Sequence, residues 1–303
     1  MKNPAPCLIL LIVVLSACHQ PSKQTTSTSP APAKNHLRGY PNGGAVIQAY
    51  AQYLRTLDTM DLASGQPALS EFDRLFAGQS PEVCDTGFML FWDFQKSLNL
   101  YDSNVRAFIS PVSLDKLVGA EYQDKKLNAR EQAAQQKLWS NNFIVKIEEG
   151  GSGPFLSPAL QSVSRHFSRY VSEPMKEALA QEIIEEKDPY MDDDALIISP
   201  GQIVRRAVWW ERFMTRYPHH IYDSTARFTY NGMINMMIEG SYNPPPSGDS
   251  TILIPPYYDS VYRLLRDSFP DSRTNAVINP WWQAVLAKDS VAMKKIYAKA
   301  AVF

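Results

Sequence analysis

A segment that recurs near the C-terminus constrains the fold more than any other feature of the sequence. Residues 210–218 and 262–270 align without a gap at an offset of 52 residues, and both end in an aromatic residue followed by proline, Tyr217-Pro218 and Phe269-Pro270. Because proline rarely continues a helix, each aromatic-proline pair indicates a turn. The pattern therefore predicts two successive helical hairpins.

The alignment continues past the turn, where Gly232 matches Ala284, a small residue at a close approach of two helices. This pattern resembles the tetratricopeptide-like helical hairpins of outer-membrane assembly lipoproteins, in which an aromatic-proline turn also joins consecutive helices. The resemblance covers residues 199–303. The sequence departs from the family in its longer period, in the proline-rich insertion 243–256 and in Pro280.

The resemblance implies a protein or peptide as the partner. The insertion is bordered by three tyrosines, Tyr242, Tyr257 and Tyr258. Loops that interrupt regular packing often carry binding residues. We therefore take these tyrosines as candidate partner-binding residues.

The sequence before residue 199 also favours helices. Apolar residues of 44–62 recur at helical spacing, and 112–138 is a further helical stretch with an exposed polar face. Ser80-Pro81 is typical of a helix start, and the apolar residues that follow predict a central helix through Tyr101. Further starts are predicted at Ser157-Pro158, Ser172 and Ser199; the last has a capping-box spacing.

One segment favours a strand. Residues 143–148 are rich in β-branched and aromatic side chains, and the glycine-rich turn 150–154 follows them. That turn lacks the spacing of a phosphate-binding loop. The predicted fold is therefore mainly α, an irregular array of helical hairpins whose C-terminal part is tetratricopeptide-like, with at most a small β element.

The N-terminus carries an export signal. Cys7–Leu15 is an apolar run of nine residues. At about 1.5 Å per residue this run is too short to cross a hydrocarbon layer of about 30 Å, so it is typical of the core of a signal peptide. The next residues complete Leu15-Ser16-Ala17-Cys18, which resembles the lipobox of bacterial lipoproteins.

The lipobox resemblance implies that the chain is cut after Ala17 and that the Cys18 thiol carries a lipid. Residues 1–17 are then a signal peptide, 18–38 a flexible tether rich in Ser, Thr and Pro, and 39–303 a helical domain. No acidic cluster follows Cys18. We expect the protein in the bacterial cell envelope, anchored to the outer membrane and facing the periplasm.

Composition excludes some functions. The net charge is −1, so the chain lacks the positive charge typical of nucleic-acid binding. HExxH, GxSxG and CxxC motifs are absent, and the SxxK match that begins at Ser113 is better explained as a helix cap. The sequence predicts no catalytic residue, no cofactor and no metal ligand set.

Several residues carry two interpretations. Asp93 either lines a pocket or forms the charged edge of its helix, and Cys84 is interpreted as a small buried hydrophobe. The acidic stretch 182–194 is either a solvated loop or an irregular cation site built from Asp188, Asp192 and Asp194. The pairs Trp209-Trp210 and Trp281-Trp282 are either core residues or sugar-stacking platforms.

The sequence thus favours a lipid-anchored cell-envelope protein with a binding or scaffolding role and a protein or peptide partner. Two alternatives stay open. One is an envelope hydrolase that acts on glycan or peptide, and the other is a carbohydrate-binding protein.

Overall fold

A computed structural model describes residues 44–118, 126–148, 153–189, 191–192, 195–239 and 256–300. Within these residues the chain forms thirteen α-helices, one short 3-10 helix at 62–64 and two antiparallel pairs of strands. The prediction of a mainly helical fold with a small β element is confirmed. The predicted signal peptide and tether, with Cys18, lie outside the described residues, as does Tyr242. Among the helices described, none has the length and apolar character needed to span a bilayer.

The helices are α1 Gly44–Leu54, α2 Gly65–Phe76, α3 Pro81–Ser97, α4 Asp102–Ile109, α5 Leu114–Leu117, α6 Ala129–Ser140, α7 Leu160–Phe167, α8 Glu173–Lys187, α9 Pro200–Arg216, α10 Asp223–Glu239, α11 Pro256–Ser268, α12 Arg273–Leu286 and α13 Ser290–Ala300. The strands are β1 Phe143–Glu148, β2 Gly153–Pro158, β3 Met191–Asp192 and β4 Ala195–Leu196.

Aromatic rings fill the core between the N-terminal helices. Phe72 and Phe76 of α2 stack with ring centroids 4.3 Å apart, and Tyr50 of α1 meets Phe76 edge-on at 5.3 Å. Phe167 of α7 lies 4.4 Å from Phe72 and 5.1 Å from Phe88 of α3. All five rings are fully buried. Because such rings bury large areas and pack edge-to-face, they fix how these helices lie together.

Gly87 allows α3 to approach α2 closely. A Cβ atom at this position would lie 2.4 Å from the Phe76 ring and 2.7 Å from the Phe72 ring. These separations are far below a van der Waals contact between carbon atoms. The stacked rings of α2 therefore occupy the space that any other residue would need.

Two predicted helices end earlier in the structure. The helix predicted over 44–62 ends at Leu54, because Asp58 then forms a turn in which its Oδ1 accepts the Met60 N–H at 2.8 Å. The helix predicted to reach Tyr101 ends at Ser97, because the buried Leu98 adopts an extended conformation. Within the predicted stretch 112–138 the structure has two helices, α5 and α6, with residues 119–125 outside the described part.

The strand predicted at 143–148 is confirmed with the same bounds. It pairs with β2 in antiparallel register, from Phe143 opposite Pro158 to Glu148 opposite Gly153. The predicted helix start at Ser157-Pro158 is wrong, because these residues end β2 and α7 begins at Leu160. A proline is compatible with β2 because its position needs no N–H for the ladder.

The other two predicted helix starts are confirmed. The Ser172 Oγ accepts the Met175 N–H at 3.4 Å at the start of α8. Ser199 and Gln202 form a reciprocal capping box at the start of α9. These caps satisfy backbone donors that a helix start leaves unpaired.

The C-terminal repeat forms two helical hairpins, α9 with α10 and α11 with α12, and α9 also packs against α11. Residues at equivalent positions are buried in both hairpins, namely Trp210 and Tyr262 in the first helices and Tyr230 and Trp282 in the second helices. The repeat is imperfect beyond this point. Leu286 is 55% exposed, whereas its equivalent Ile234 is buried.

Candidate functional site

An open groove of about 620 Å³ lies between the β1-β2 hairpin and helices α7 and α8. Each wall comes from a different part of the chain. The hairpin side contributes Trp139, Ile144, Lys146 and Ala159, α7 contributes Gln161, Ser162 and Arg165, and α8 contributes Ile183, Glu186 and Lys187. The groove therefore combines apolar surface with polar and charged groups, as binding sites commonly do.

The groove is positively charged. Three cationic side chains line it, Lys146, Arg165 and Lys187, against the single carboxylate of Glu186. The Lys146 Nζ lies 2.6 Å from the Glu186 Oε1, so this pair is neutralised. The charged ends of Arg165 and Lys187 form no hydrogen bond or ion pair with the part of the chain that the structure describes. Two cations are thus free to meet an anionic ligand.

Trp139 gives the groove an accessible aromatic surface. It lies in the last turn of α6, a helix that begins with a capping box formed by Asn128 and Glu131. Its side chain is 41% exposed although it is large and apolar. Exposed indoles at the edge of a groove are typical of contact residues in interfaces.

Two further glutamates of α8, Glu182 and Glu185, form a separate cluster. Burial raises the pKa of Glu182 and of Glu185 above the ordinary range. The neighbouring Tyr222 hydroxyl lowers the pKa of Glu182 and so partly opposes the effect of burial. The Trp210 Nε1–H donates to the Glu185 Oε1 at 2.9 Å. The Gln181 side chain donates to the same oxygen at 2.7 Å. These carboxylates tie α8 to the C-terminal hairpins and do not line the groove.

A third cluster contains the three residue types of a serine-hydrolase triad. The Ser172 Oγ–H donates to the Asp85 Oδ2 at 2.6 Å, and the Ser172 N–H donates to Oδ1 at 2.8 Å. The His220 Nε2 lies 3.1 Å from the Asp85 Oδ2, while the Tyr222 N–H donates to the Nδ1 of the same ring. In a triad the histidine stands between the acid and the serine. Here the His220 Nε2 also lies 3.4 Å from the Ser172 Oγ, but the Ser172 hydroxyl donates to the Asp85 carboxylate. Because the His220 Nδ1 accepts the Tyr222 N–H, the Nε2 of the neutral ring carries a proton and cannot take that of Ser172. The cluster therefore joins helices and does not activate Ser172.

The structure separates the predicted tyrosines from this groove. Tyr257 and Tyr258 lie in the first turn of α11, half-buried, with ring centroids 5.3 Å apart. Burial raises the pKa of Tyr257 to about 12. Neither residue lines the groove, and Tyr242 is outside the described residues.

The structure also bears on the other residues that had two interpretations, Asp93, Cys84 and the acidic stretch 182–194. Asp93 is exposed and lies 3.1 Å from the Lys96 Nζ, so the interpretation as a charged helix edge is confirmed. Cys84 is buried, and burial raises the pKa of its thiol to about 11, as expected for a small core residue. Asp188 pairs with the Arg206 Nη2 at 2.8 Å, and Asp194 is outside the described residues. In the described ranges no group of three or more His, Cys, Asp or Glu is placed to hold a metal ion.

The tryptophan pairs belong mainly to the core. Trp210, Trp281 and Trp282 are buried, and Trp209 is half-buried against its neighbour. The exposed indole is that of Trp139, which no pattern in the sequence singled out. Arg165 and Lys187 were also missed, because nothing in the sequence indicates that α7 and α8 face the same hairpin.

No protein-family model, curated protein or solved structure matches the chain. Its own geometry therefore defines its class, a mainly helical protein with a small hairpin and an open cationic groove.

Proposed function

We propose that the chain is a lipid-anchored cell-envelope protein that binds a protein or peptide partner, with Cys18 as the point of lipid attachment. The short apolar run followed by Leu15-Ser16-Ala17-Cys18 supports the anchor. The Ser- and Pro-rich residues 19–36 support a tether, because they contain too few apolar residues to fold alone. In this proposal the anchor lies in the outer membrane and the folded domain faces the periplasm.

The groove is the observation that carries the binding role. Arg165 and Lys187 hold positive charge without a partner in the described part of the chain, beside the exposed ring of Trp139. Positive charge left without a partner has no benefit for folding alone. Complementary charge raises the rate and the specificity of association.

Carbohydrate binding is the second candidate, and Trp139 is the observation that favours it. Gln161 and Ser162 line the same groove, and polar side chains beside an aromatic ring can hydrogen-bond a sugar stacked on that ring. The hydrolase alternative has less support. The Ser172 hydroxyl donates to Asp85 and not to His220, and Glu185 accepts a hydrogen bond from the core residue Trp210.

Site-specific photo-crosslinking in living bacteria tests the binding role. A photoreactive amino acid replaces Trp139 in one variant and Phe228, an exposed aromatic residue of α10, in the control. We expect discrete crosslinked protein bands from position 139 and few from position 228. Equal crosslinking at both positions, or none at 139, would count against the groove as a protein-binding site. Quenching of tryptophan fluorescence by soluble envelope glycans, lost in Trp139→Phe, would favour the second candidate instead.

The anchor has its own test. Cells fed labelled palmitate should label the wild-type chain, and Cys18→Ser should remove the label and release the protein from the membrane fraction. An unlabelled wild-type chain would refute the anchor without affecting the groove.

A further inference from the structure

The two edges of the β1-β2 hairpin are chemically different. The Ala159 N–H donates to the Asn142 carbonyl at 2.8 Å, one step beyond the pairing of Phe143 with Pro158. Because hydrogen-bonded pairs alternate along an antiparallel ladder, Ile144 and Lys146 direct their backbone groups toward β2. Val145 and Ile147 therefore direct theirs outward, away from the hairpin.

The outer edge of β2 is blocked. By the same alternation, its outward positions are Pro154, Leu156 and Pro158. Two of these are prolines, which have no N–H to offer to another strand. Prolines of this kind protect natural sheets from edge-to-edge pairing.

The outer edge of β1 has no such protection. The backbone groups of Val145 and Ile147 form no hydrogen bond with any residue that the structure describes, and Ile147 is 58% exposed. Neither residue is charged or a proline. An open edge of this kind is a template for a further strand from another chain.

We infer that the partner contributes an extended, acidic peptide segment that adds to β1 as a third strand of the hairpin sheet, an inference that rests on the proposed binding role. Side chains alternate between the faces of a sheet. Alternate side chains of an added strand therefore lie on the same face as Ile144 and Lys146, which is the face that lines the groove. Acidic side chains at these positions meet Arg165 and Lys187.

Two features select this occupant. A row of outward N–H and C=O groups is matched only by another peptide backbone, which a glycan or a lipid headgroup does not supply. The two cations select negative charge. The tether of this chain is unsuitable, because residues 19–36 contain Lys23 and Lys34 but no Asp or Glu.

Peptide display on the full-length purified lipoprotein tests the inference. A library of random linear peptides of about eight residues, slightly longer than an average strand, is selected for binding. We expect enriched sequences to alternate acidic with apolar residues. N-methylation of alternate backbone nitrogens in a selected peptide should weaken binding about tenfold, because the methyl groups block hydrogen bonds to the outward carbonyls of β1.

Matched variants locate the binding site. Ile147→Pro removes an outward N–H as Pro154 does in β2, whereas Ile147→Thr removes the same side chain and keeps the N–H. We expect about tenfold weaker binding for the proline variant and little change for the threonine variant. The double variant Arg165→Gln, Lys187→Gln should also weaken binding about tenfold at low salt and flatten its salt dependence, unlike Arg205→Gln on α9.

Three outcomes would overturn the inference. One is the absence of enriched peptides, another is binding that Ile147→Pro and Ile147→Thr change equally, and a third is dimerisation through β1 that Ile147→Pro abolishes. If Ile147→Pro does not fold, as judged by circular dichroism and a thermal melt, the N-methylated peptides test the same backbone hydrogen bonds on the wild-type protein. Crosslinks from position 139 without any strand dependence would preserve the proposed binding role and refute strand addition alone.

Discussion

The N-terminal helices α1 to α3 with α7 and the C-terminal helices α9 to α12 build their cores in different ways. The N-terminal region depends on a stack of rings that packs closely against Gly87. The C-terminal region places aromatic residues such as Trp210 and Tyr262 at equivalent positions of a repeat. A repeat is visible in the sequence, whereas a single close contact is not.

Both regions also use a carboxylate on one helix to cap another, and the two caps differ in burial. Asp85 of α3 accepts the Ser172 N–H at the start of α8 and is almost fully buried. Glu211 of α9 accepts the N–H groups of Arg273 and Thr274 at the start of α12, each at 2.8 Å, and is half-buried. Carboxylates at helix starts satisfy free donors and complement the helix dipole. We therefore expect the buried Asp85 cap to contribute more to the free energy of unfolding than the Glu211 cap.

The largest expected effect is that of Gly87→Ala. Alanine gains up to about 1 kcal/mol in helix propensity, but overpacking a core costs about 1 to 3 kcal/mol and occasionally more. Since the added Cβ atom would overlap two stacked rings, we expect a cost above that range, about 4 kcal/mol. The net loss in the free energy of unfolding, measured by urea denaturation, should then be about 3 kcal/mol.

Gly201→Ala in α9 is the matched control. Its added Cβ atom would lie 3.0 Å from the Arg205 Nη1, the end of a flexible side chain that can move. We expect little change or a small gain in stability. A similar loss of stability in both variants would show that overlap with the Phe72 and Phe76 rings is not what destabilises Gly87→Ala.

The second prediction compares the two caps. Asp85→Ala leaves the N–H and hydroxyl of Ser172 without their acceptor in a buried site, which should cost about 2 kcal/mol. Glu211→Ala frees donors that water can reach, which should cost about 1 kcal/mol. Urea denaturation of both variants measures the difference. Equal losses, or a larger loss for Glu211→Ala, would contradict the link between burial and cap strength.

The features predicted correctly from the sequence are mainly those that depend on residues close together in the chain. Local signals predicted the start of α9 at Ser199 and both bounds of β1, because caps and β-branched runs act within a few residues. The repeat predicted the C-terminal hairpins for a similar reason, since equivalent residues do equivalent packing.

The candidate site was missed because it is not local. Trp139, Arg165 and Lys187 come from three helices, and only the packing of α7 and α8 beside the hairpin brings them together. The serine-proline signal also gave a wrong prediction, a helix start at Ser157-Pro158. A serine-proline pair fits a helix start and an outward position of an edge strand equally well, and the pairing with β1 decides between them.

The smallest predicted effect concerns the joint between the two regions, where Glu182 and Glu185 of α8 meet Tyr222 and Trp210. Burial raises the pKa of both glutamates above the ordinary value of 4.5, so the folded state holds protons that the unfolded state has released. The protonated carboxyl groups therefore contribute fully to the free energy of unfolding below pH 4.5. This contribution is lost as the pH rises through the raised pKa of each glutamate.

Glu182→Gln and Glu185→Gln remove this pH-dependent loss of stability. In each variant the side chain keeps an oxygen acceptor, which in Glu185→Gln can still accept the Trp210 Nε1–H. We expect each variant to unfold at higher urea than the wild type at pH 7, by less than about 1 kcal/mol, with the gain vanishing toward pH 4. Glu173→Gln removes a charge from an exposed position of the same helix and serves as the control. A gain at pH 7 that persists unchanged at pH 4, or that Glu173→Gln reproduces, would mean that loss of negative charge and not burial at the joint sets the effect.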